Sequence, residues 1–287
     1  MAKNIKCMLA KRGTEDLINN PDWWLERKFD GTRVITVIKN NTPRMFGRSG
    51  NEYTDRYSEI IDELKQLPDG TYDGELSFYE NGKERFITAL AREETKENLE
   101  YYYQLFDIIE TTQLFNQRRI KLESLFSKLK NTTYLKLSYI ARTLEDKKRL
   151  SKHLKKIGAE GAMIKYKNAY YEFGRSKFNL KLKNEHTEDL VVKAWKEGTG
   201  RREDYFGALV GYQLVNDNWE KVANVGGGFK DEDLEYIQNK FLGKNGTVKK
   251  EFVIEIRYLN KTNKFNYRMP QFVRIRTDKP VNDCVWR

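Results

Sequence analysis

The residues that could do chemistry begin at Glu26-Arg27-Lys28-Phe29-Asp30-Gly31-Thr32-Arg33. A lysine ahead of an Asp-Gly turn, with an arginine just beyond it, can set a nucleophilic amine beside phosphate-binding cations. A free lysine titrates near about 10.4, so holding it neutral at pH 7 costs roughly 4.6 kcal/mol. Neighbouring cations lower that cost by like-charge repulsion, and a bound metal does the same. Arg33 is one such cation. Lys181 and Lys183 are two more, on one face of a strand reading Lys181-Leu182-Lys183. Taken alone, Lys-x-Asp-Gly fits any turn that starts a strand.

Further polar motifs follow in order. Gly47-Arg48-Ser49-Gly50 is a turn with one arginine, and Asp73-Gly74-Glu75-Leu76 brings an acidic pair into a strand. Leu105-Phe106-Asp107 ends an aromatic-rich run, and Glu160-Gly161-Ala162-Met163-Ile164-Lys165 is a second acid-Gly turn into a strand. Read singly, Glu75 and Glu160 are surface acids, Phe106 is a core aromatic beside Tyr101, Tyr102 and Tyr103, and Lys181 and Lys183 are a solvated strand face. The carboxylates suit Mg²⁺, which takes carboxylate, water and phosphate oxygens. The two cysteines and two histidines are not clustered, so a four-ligand zinc site is excluded. Cys7 and Cys284, at opposite ends of the chain, read as free thiols.

The elements that must position these residues are legible from periodicity. Arg33 to Lys39 alternates with β-branched residues and predicts a strand, as does Asp73 to Phe78. Tyr57 to Leu67 predicts a helix, closed by the turn Pro68-Asp69-Gly70. Leu114 to Leu129 and Leu144 to Ile157 predict amphipathic helices. The second has Leu144, Leu150, Leu154 and Ile157 on its apolar face and Lys147, Lys148, Lys152, Lys155 and Lys156 on the other. That basic face reads as solvated in preference to DNA-bound. From about Glu185 the pattern changes. Short runs at Leu190–Trp195, Phe206–Val215, Trp219–Val225, Phe252–Tyr258 and Phe272–Arg276 predict strands, with one helix at Asp231 to Leu242. Such a set predicts a small oligonucleotide-binding (OB) β-barrel. The fold class is therefore α+β, a mixed first domain followed by a barrel.

The ordered motifs from Glu26 to Lys279 resemble those of the covalent nucleotidyltransferases: DNA ligases, RNA ligases and capping enzymes. The form Glu160-Gly161-Ala162-Met163-Ile164-Lys165 is closer to the polynucleotide ligases. Arg268-Met269-Pro270-Gln271-Phe272-Val273-Arg274-Ile275-Arg276-Thr277-Asp278-Lys279 is similar to the closing motif of ATP-dependent DNA ligases. The resemblance covers nearly the whole chain and implies a minimal viral or bacterial ATP-dependent DNA ligase. Its nucleotidyltransferase (adenylation) domain would span 1–185 and its OB-fold domain 186–287, closing like a clamp. It implies that Lys28 takes AMP from ATP, with Asp30 beside it. Glu26 would accept from the adenine amine, Phe106 stack on the ring and Glu75 bind the ribose. Arg33 and Arg48 would hold phosphates, including the nick 5′-phosphate, and Lys181 and Lys183 the α-phosphate. Glu160, with Asp30 or Glu75, would position Mg²⁺. Arg276 and Lys279 would orient the leaving pyrophosphate. The expected substrate is nicked double-stranded DNA, with ATP and Mg²⁺ as cofactors. An RNA ligase is the runner-up. Glu26 as an adenine reader argues against a guanylyltransferase. A nick-binding protein without catalysis is the rival from another class, against which every expected catalytic position is filled.

Charge agrees with a polyanionic partner. The net charge is +11, made up of +8 over 1–185 and +3 over 186–287. The basic loop Gly198-Thr199-Gly200-Arg201-Arg202 reads equally as a DNA-backbone contact through Arg201 and Arg202 or as an idle loop, whereas Gly226-Gly227-Gly228-Phe229 reads as structural. No apolar run approaches the ~20 residues of a membrane span, and the first residues carry no secretory pattern. The expectation is a cytoplasmic monomer, with no membrane partner. Only 27 residues precede Lys28, so neither a helical DNA-binding domain nor a nicotinamide-binding domain is expected ahead of it.

Overall fold

The computed structural model describes residues 6–85, 99–262 and 264–286. The chain divides into two compact units, Met1–Asn184 and Glu185–Arg287. In the first, the strands are β1 (Met8–Arg12), β2 (Trp23–Lys28), β3 (Thr32–Lys39), β4 (Thr42–Gly47), β5 (Gly70–Glu80), β6 (Lys83–Arg85), β7 (Glu100–Ile108), β8 (Leu135–Leu137), β9 (Ile140–Ala141), β10 (Gly161–Tyr166) and β11 (Gly174–Lys183). The helices are α1 (Ser58–Leu64), α2 (Phe115–Phe126) and α3 (Leu144–Lys156). Two sheets result. One runs β1-β11-β10-β2-β9, and the other β4-β3-β5-β7-β8 with β6 on β5. Leu25, Ile164, Leu180 and Leu182 fill the core under the first sheet. Val34, Leu76, Tyr103 and Leu105 do so under the second. Alternation explains this directly, because on each strand every second side chain is committed to the core and its neighbours are released to the other face.

The helix at Leu144–Lys156 departs from its sequence pattern. Thr143 caps it, its hydroxyl accepting from the Asp146 N–H (3.2 Å). Leu154 is buried, but Leu144 is 44% and Ile157 46% exposed. Lys147, expected on the solvated face, is instead completely buried. Its ammonium donates to the carbonyls of Asn20 (2.6 Å) and Trp23 (3.0 Å). Burial lowers its pKa. A lysine can be buried when its hydrogens find acceptors, and these two carbonyls lie where the chain enters β2. Lys147 therefore ties α3 to the strand that carries Lys28.

The second unit contains β12 (His186–Glu197), β13 (Phe206–Val215), β14 (Asn218–Val225), β15 (Thr247–Tyr258), β16 (Asn260–Lys261), β17 (Tyr267–Arg268), β18 (Gln271–Arg276) and α4 (Asp231–Phe241). Its main sheet runs β14-β13-β12-β15-β18, and these five strands contain the five predicted runs. The segment after β14 returns to the opposite edge, where the Phe272 N–H donates to the Gly227 carbonyl (2.8 Å). Phe229 stacks on Phe272 at 4.6 Å between ring centres. The Gly226–Phe229 turn thus joins the two edges of the sheet, which is the structural role its sequence suggests. Among the described residues, no helix is long and apolar enough to cross a membrane.

Candidate active site

Three adjacent strands lay the site out. In register, Lys28 pairs with Gly161 and Gly161 with Lys183. Glu26 pairs with Met163 and Met163 with Lys181. Directly paired residues share a face, so Glu26, Lys28, Lys181 and Lys183 stand on one side of one sheet. Two glycines make this possible. A Cβ on Gly161 would lie 2.0 Å from the Leu182 carbonyl oxygen, and one on Gly31 would lie 2.1 Å from that of Leu76. Only glycine lets these turns come so close.

Over this face lies a cavity of about 300 Å³, at the lower end of the size range for small-ligand sites. Glu26, Lys28, Arg33, Arg48, Glu75, Phe106 and Lys181 line it, together with Lys165, Arg175 and Asn179. Lys28 forms an ion pair with Glu160, whose carboxylate also lies 3.8 Å from Lys183. The Lys181 pKa is lowered by partial burial, then by Lys183, Lys28 and Arg175. The cations expected around the nucleophile are therefore crowded together, and Glu160 sits among them.

Phe106 reaches the cavity through an irregularity in the sheet. Asp73 pairs with Asp107 but Gly74 pairs with Leu105, so Phe106 is the extra residue of a bulge. A bulge re-aims a side chain. Asp107 fixes the bulge by taking two bonds from the buried Arg118 (2.8 and 3.0 Å). The cationic groups of Lys165 and Arg33 lie 4.6 and 4.7 Å from the centre of the Phe106 ring. Arg33 is held by Asp73 through Nε (2.5 Å) and Nη2 (2.6 Å), and Tyr171 donates to the same carboxylate (2.5 Å). Burial opposes the Arg33 charge, but Asp73 outweighs it and the pKa rises. Arg48 is exposed at the rim.

Glu26 is buried, ion-paired to Lys165 at 2.5 Å, and accepts weakly from the Ser138 hydroxyl (3.5 Å). The sequence does not single out Lys165 as a site residue. The clue was its place at the end of Glu160–Lys165 on the same strand face as Met163, but its partner Glu26 lies on another strand. Beyond this ion pair, the buried Lys165 ammonium has no well-aligned hydrogen-bond acceptor among the described residues, which leaves hydrogens to offer a ligand.

Asp30 does not line the cavity, and its N–H donates to Glu84 (3.2 Å). Among the described residues, no three His, Cys, Asp or Glu side chains come together to hold a metal unaided. Mg²⁺ needs only one or two carboxylates plus phosphate oxygens, and Glu75 and Glu160 can supply those. Glu75 bears the mark of crowding. Burial first, then Asp73 and Glu160, push its carboxyl up to about 7 against the pull of Arg33 and Lys28. The donor set therefore fits a cation arriving with a nucleotide.

That shift has a consequence for stability. The folded state holds the Glu75 proton more tightly than the unfolded chain, so stability falls as pH rises from the ordinary carboxylate range through about 7. Glu75→Gln should remove this penalty. In the absence of nucleotide the variant should melt higher than the parent near pH 8, by on the order of 1 kcal/mol, and should lose the advantage near pH 4. Melting curves across that range check it, and a pH-independent difference would contradict it.

In the second unit, Arg276 and Lys279 gather on one carboxylate. Arg276 Nη1 donates to both oxygens of Asp189 (3.0 Å each), and Lys279 lies 3.3 Å from Asp189 Oδ2. Arg276 also donates to Asp278 (2.9 Å). Arg202 donates to the Gly226 carbonyl (2.7 Å), so it braces the glycine turn, while Arg201 is exposed.

A sequence profile of the family described as ATP dependent DNA ligase domain matches residues 7–183. The chain belongs to the ATP-dependent DNA ligase family. It is 27% identical over 292 residues to a DNA ligase of Methanococcus aeolicus, covering 90% of this chain and 52% of that one. The chain spans about half the length of the curated ligases it matches. Two solved ligase structures share the fold. A Lig E DNA ligase, from a study of DNA binding with a minimal scaffold, aligns with a TM-score of 0.69 at 19% identity, over 95% of this chain and 99% of that one. A mycobacterial DNA ligase D complexed with ATP and MES aligns with a TM-score of 0.57 at 20% identity, over 99% of each chain. Both units are thus accounted for by a ligase fold, a nucleotidyltransferase domain followed by an OB domain.

Proposed function

We propose that this family member seals 5′-phosphate/3′-hydroxyl nicks in duplex DNA, using ATP and a covalent AMP on Lys28. One observation carries the reading. Within the ligase domain, Lys28 stands on the wall of a cavity whose other walls supply an aromatic ring, a buried carboxylate and several cations. Lys28 attacks the α-phosphorus, the bond from lysine nitrogen to phosphorus forms, and pyrophosphate leaves. The AMP then passes to the 5′-phosphate, and the 3′-hydroxyl displaces it. Phe106 stacks on adenine, Glu26 accepts from its amine, and Lys165 donates to a ring nitrogen. Glu75 binds the ribose, and Arg33 and Arg48 hold phosphates. Lys181 and Lys183 offset charge at the α-phosphate, where fixed cations act most strongly. Mg²⁺, held through Glu160 and Glu75, would neutralise phosphate oxygens. Asp30, outside the cavity lining, acts through the turn that presents Lys28. Arg201 is the member of the basic loop best placed to meet a DNA phosphate, since Arg202 is already bonded. The protein acts as a monomer in the compartment where the chain is made.

The test is incubation with α-labelled ATP and, separately, GTP, followed by a denaturing gel. ATP should label the protein and GTP should not. Nicked duplex DNA should then be sealed far faster than single-stranded RNA ends. A preference for RNA ends would move the protein to the RNA-ligase branch.

A further inference from the structure

We infer that Asn179 reads the 6-amino group of the purine, as a second acceptor beside Glu26. The inference rests on the reading of the cavity as an ATP site. Its basis is the lattice formed by β2, β10 and β11. One cross-strand row holds Lys28, Gly161 and Lys183, and the next holds Glu26, Met163 and Lys181. The third pairs Lys165 with Asn179. Successive rows on one face are about 6.6 Å apart. The phosphate-reactive lysine occupies one end, so the base belongs at the other, with Lys165 and Asn179.

Asn179 lines the cavity and is only 4% exposed, yet its Oδ1 has no hydrogen-bond partner among the described residues. A buried acceptor left unmade is costly, and such groups in a folded protein usually have a partner. The neighbouring Lys165 ammonium, ion-paired with Glu26 at 2.5 Å, has further hydrogens with no well-aligned acceptor among the described residues. The pair therefore presents a donor and an acceptor side by side. Adenine offers ring nitrogens that accept and an exocyclic amine with two hydrogens to donate. Glu26 is already engaged by Lys165 and Ser138, and one amine hydrogen satisfies it. The other hydrogen needs an acceptor, which Asn179 Oδ1 supplies. Guanine carries an oxygen at that position and would face two acceptors unless the Asn179 amide turned over.

The experiment compares self-adenylation rates with ATP and transfer of the nucleotide from purine riboside triphosphate, which lacks the amine. Asn179→Leu should raise KM for ATP about tenfold, leave kcat nearly unchanged, and leave KM for the amine-free analogue where it was. Loss of kcat, or an equal KM rise for both nucleotides, would overturn the inference. So would a wild-type enzyme that does not distinguish the two. Should Asn179→Leu fail to fold, Asn179→Asp serves. It keeps the acceptor and removes the amide hydrogens that a turned-over asparagine could offer guanine, so preference for ATP over GTP should increase. A decrease would overturn it. A wild-type protein that takes no label from any nucleotide would sink the ligase reading itself, not the role of Asn179 within it.

Discussion

Lys28→Ala should abolish covalent labelling by ATP and sealing of an ordinary nick, with a loss on the order of 10⁴-fold or more, as expected for removal of a nucleophile. A nick that already carries AMP on its 5′-phosphate should still be sealed, because that step needs no lysine nucleophile. The structure adds a condition. Glu160 is paired with Lys28 and approaches Lys183, so removing Lys28 leaves a buried carboxylate with weaker compensation. Some destabilisation is therefore expected in the same variant, of about 1–3 kcal/mol. Lys28→Met, which keeps the stem and loses the charge, separates lost packing from lost charge when the two variants' melting temperatures are compared. Retained self-adenylation in either variant would remove Lys28 from the role of nucleophile.

Why the sequence revealed so much of this site and not all of it has a physical basis. Strands advertise themselves by alternation, and the runs Phe206–Val215, Phe252–Tyr258 and Phe272–Arg276 emerge as β13, β15 and β18 or parts of them. Lys181 and Lys183 were visible for the same reason, being two residues apart on one strand. Helical periodicity assigns faces by residue type, and a lysine bound to two backbone carbonyls, as Lys147 is, is invisible to it. The same holds for Lys165. Its polar neighbour on the motif, Glu160, pairs instead with Lys28, and its own partner Glu26 comes from a distant segment. Phe106 could be named as a candidate, but the bulge that aims it depends on the pairing of β5 with β7. Asn179 gave no signal at all, because a lone asparagine between apolar strand residues reads as a solvated position until its burial is known. Residue types and order were thus legible, whereas partners across the sheet were not.

Replacing Arg276 and Lys279 together by alanine should impair self-adenylation by at least about 100-fold and should slow sealing of a pre-adenylated nick much less. The leaving pyrophosphate develops several negative charges, and positioned cations lower the barrier to its departure. Once AMP is on the protein, no pyrophosphate remains to be stabilised, so that demand ends with the first step. The geometry within the second unit suits such a service. Asp189 receives both Arg276 and Lys279, which overcomes their mutual repulsion and holds them at one point. Asp278 steadies Arg276 from another side. Asp189 is itself anchored, since the buried Gln213 donates to its carbonyl (2.9 Å) and accepts from the Tyr267 hydroxyl (2.7 Å). Holding two cations in advance reduces the ordering cost when an anion arrives. Loss of both leaves Asp189 with no cationic partner among these contacts, so folding must be checked on the same preparation. The decisive measurement is a pair of single-turnover rates, self-adenylation and sealing of a pre-adenylated nick. An equal loss in both would mean that Arg276 and Lys279 act through stability or DNA binding, and DNA binding would show itself by a steep dependence on salt.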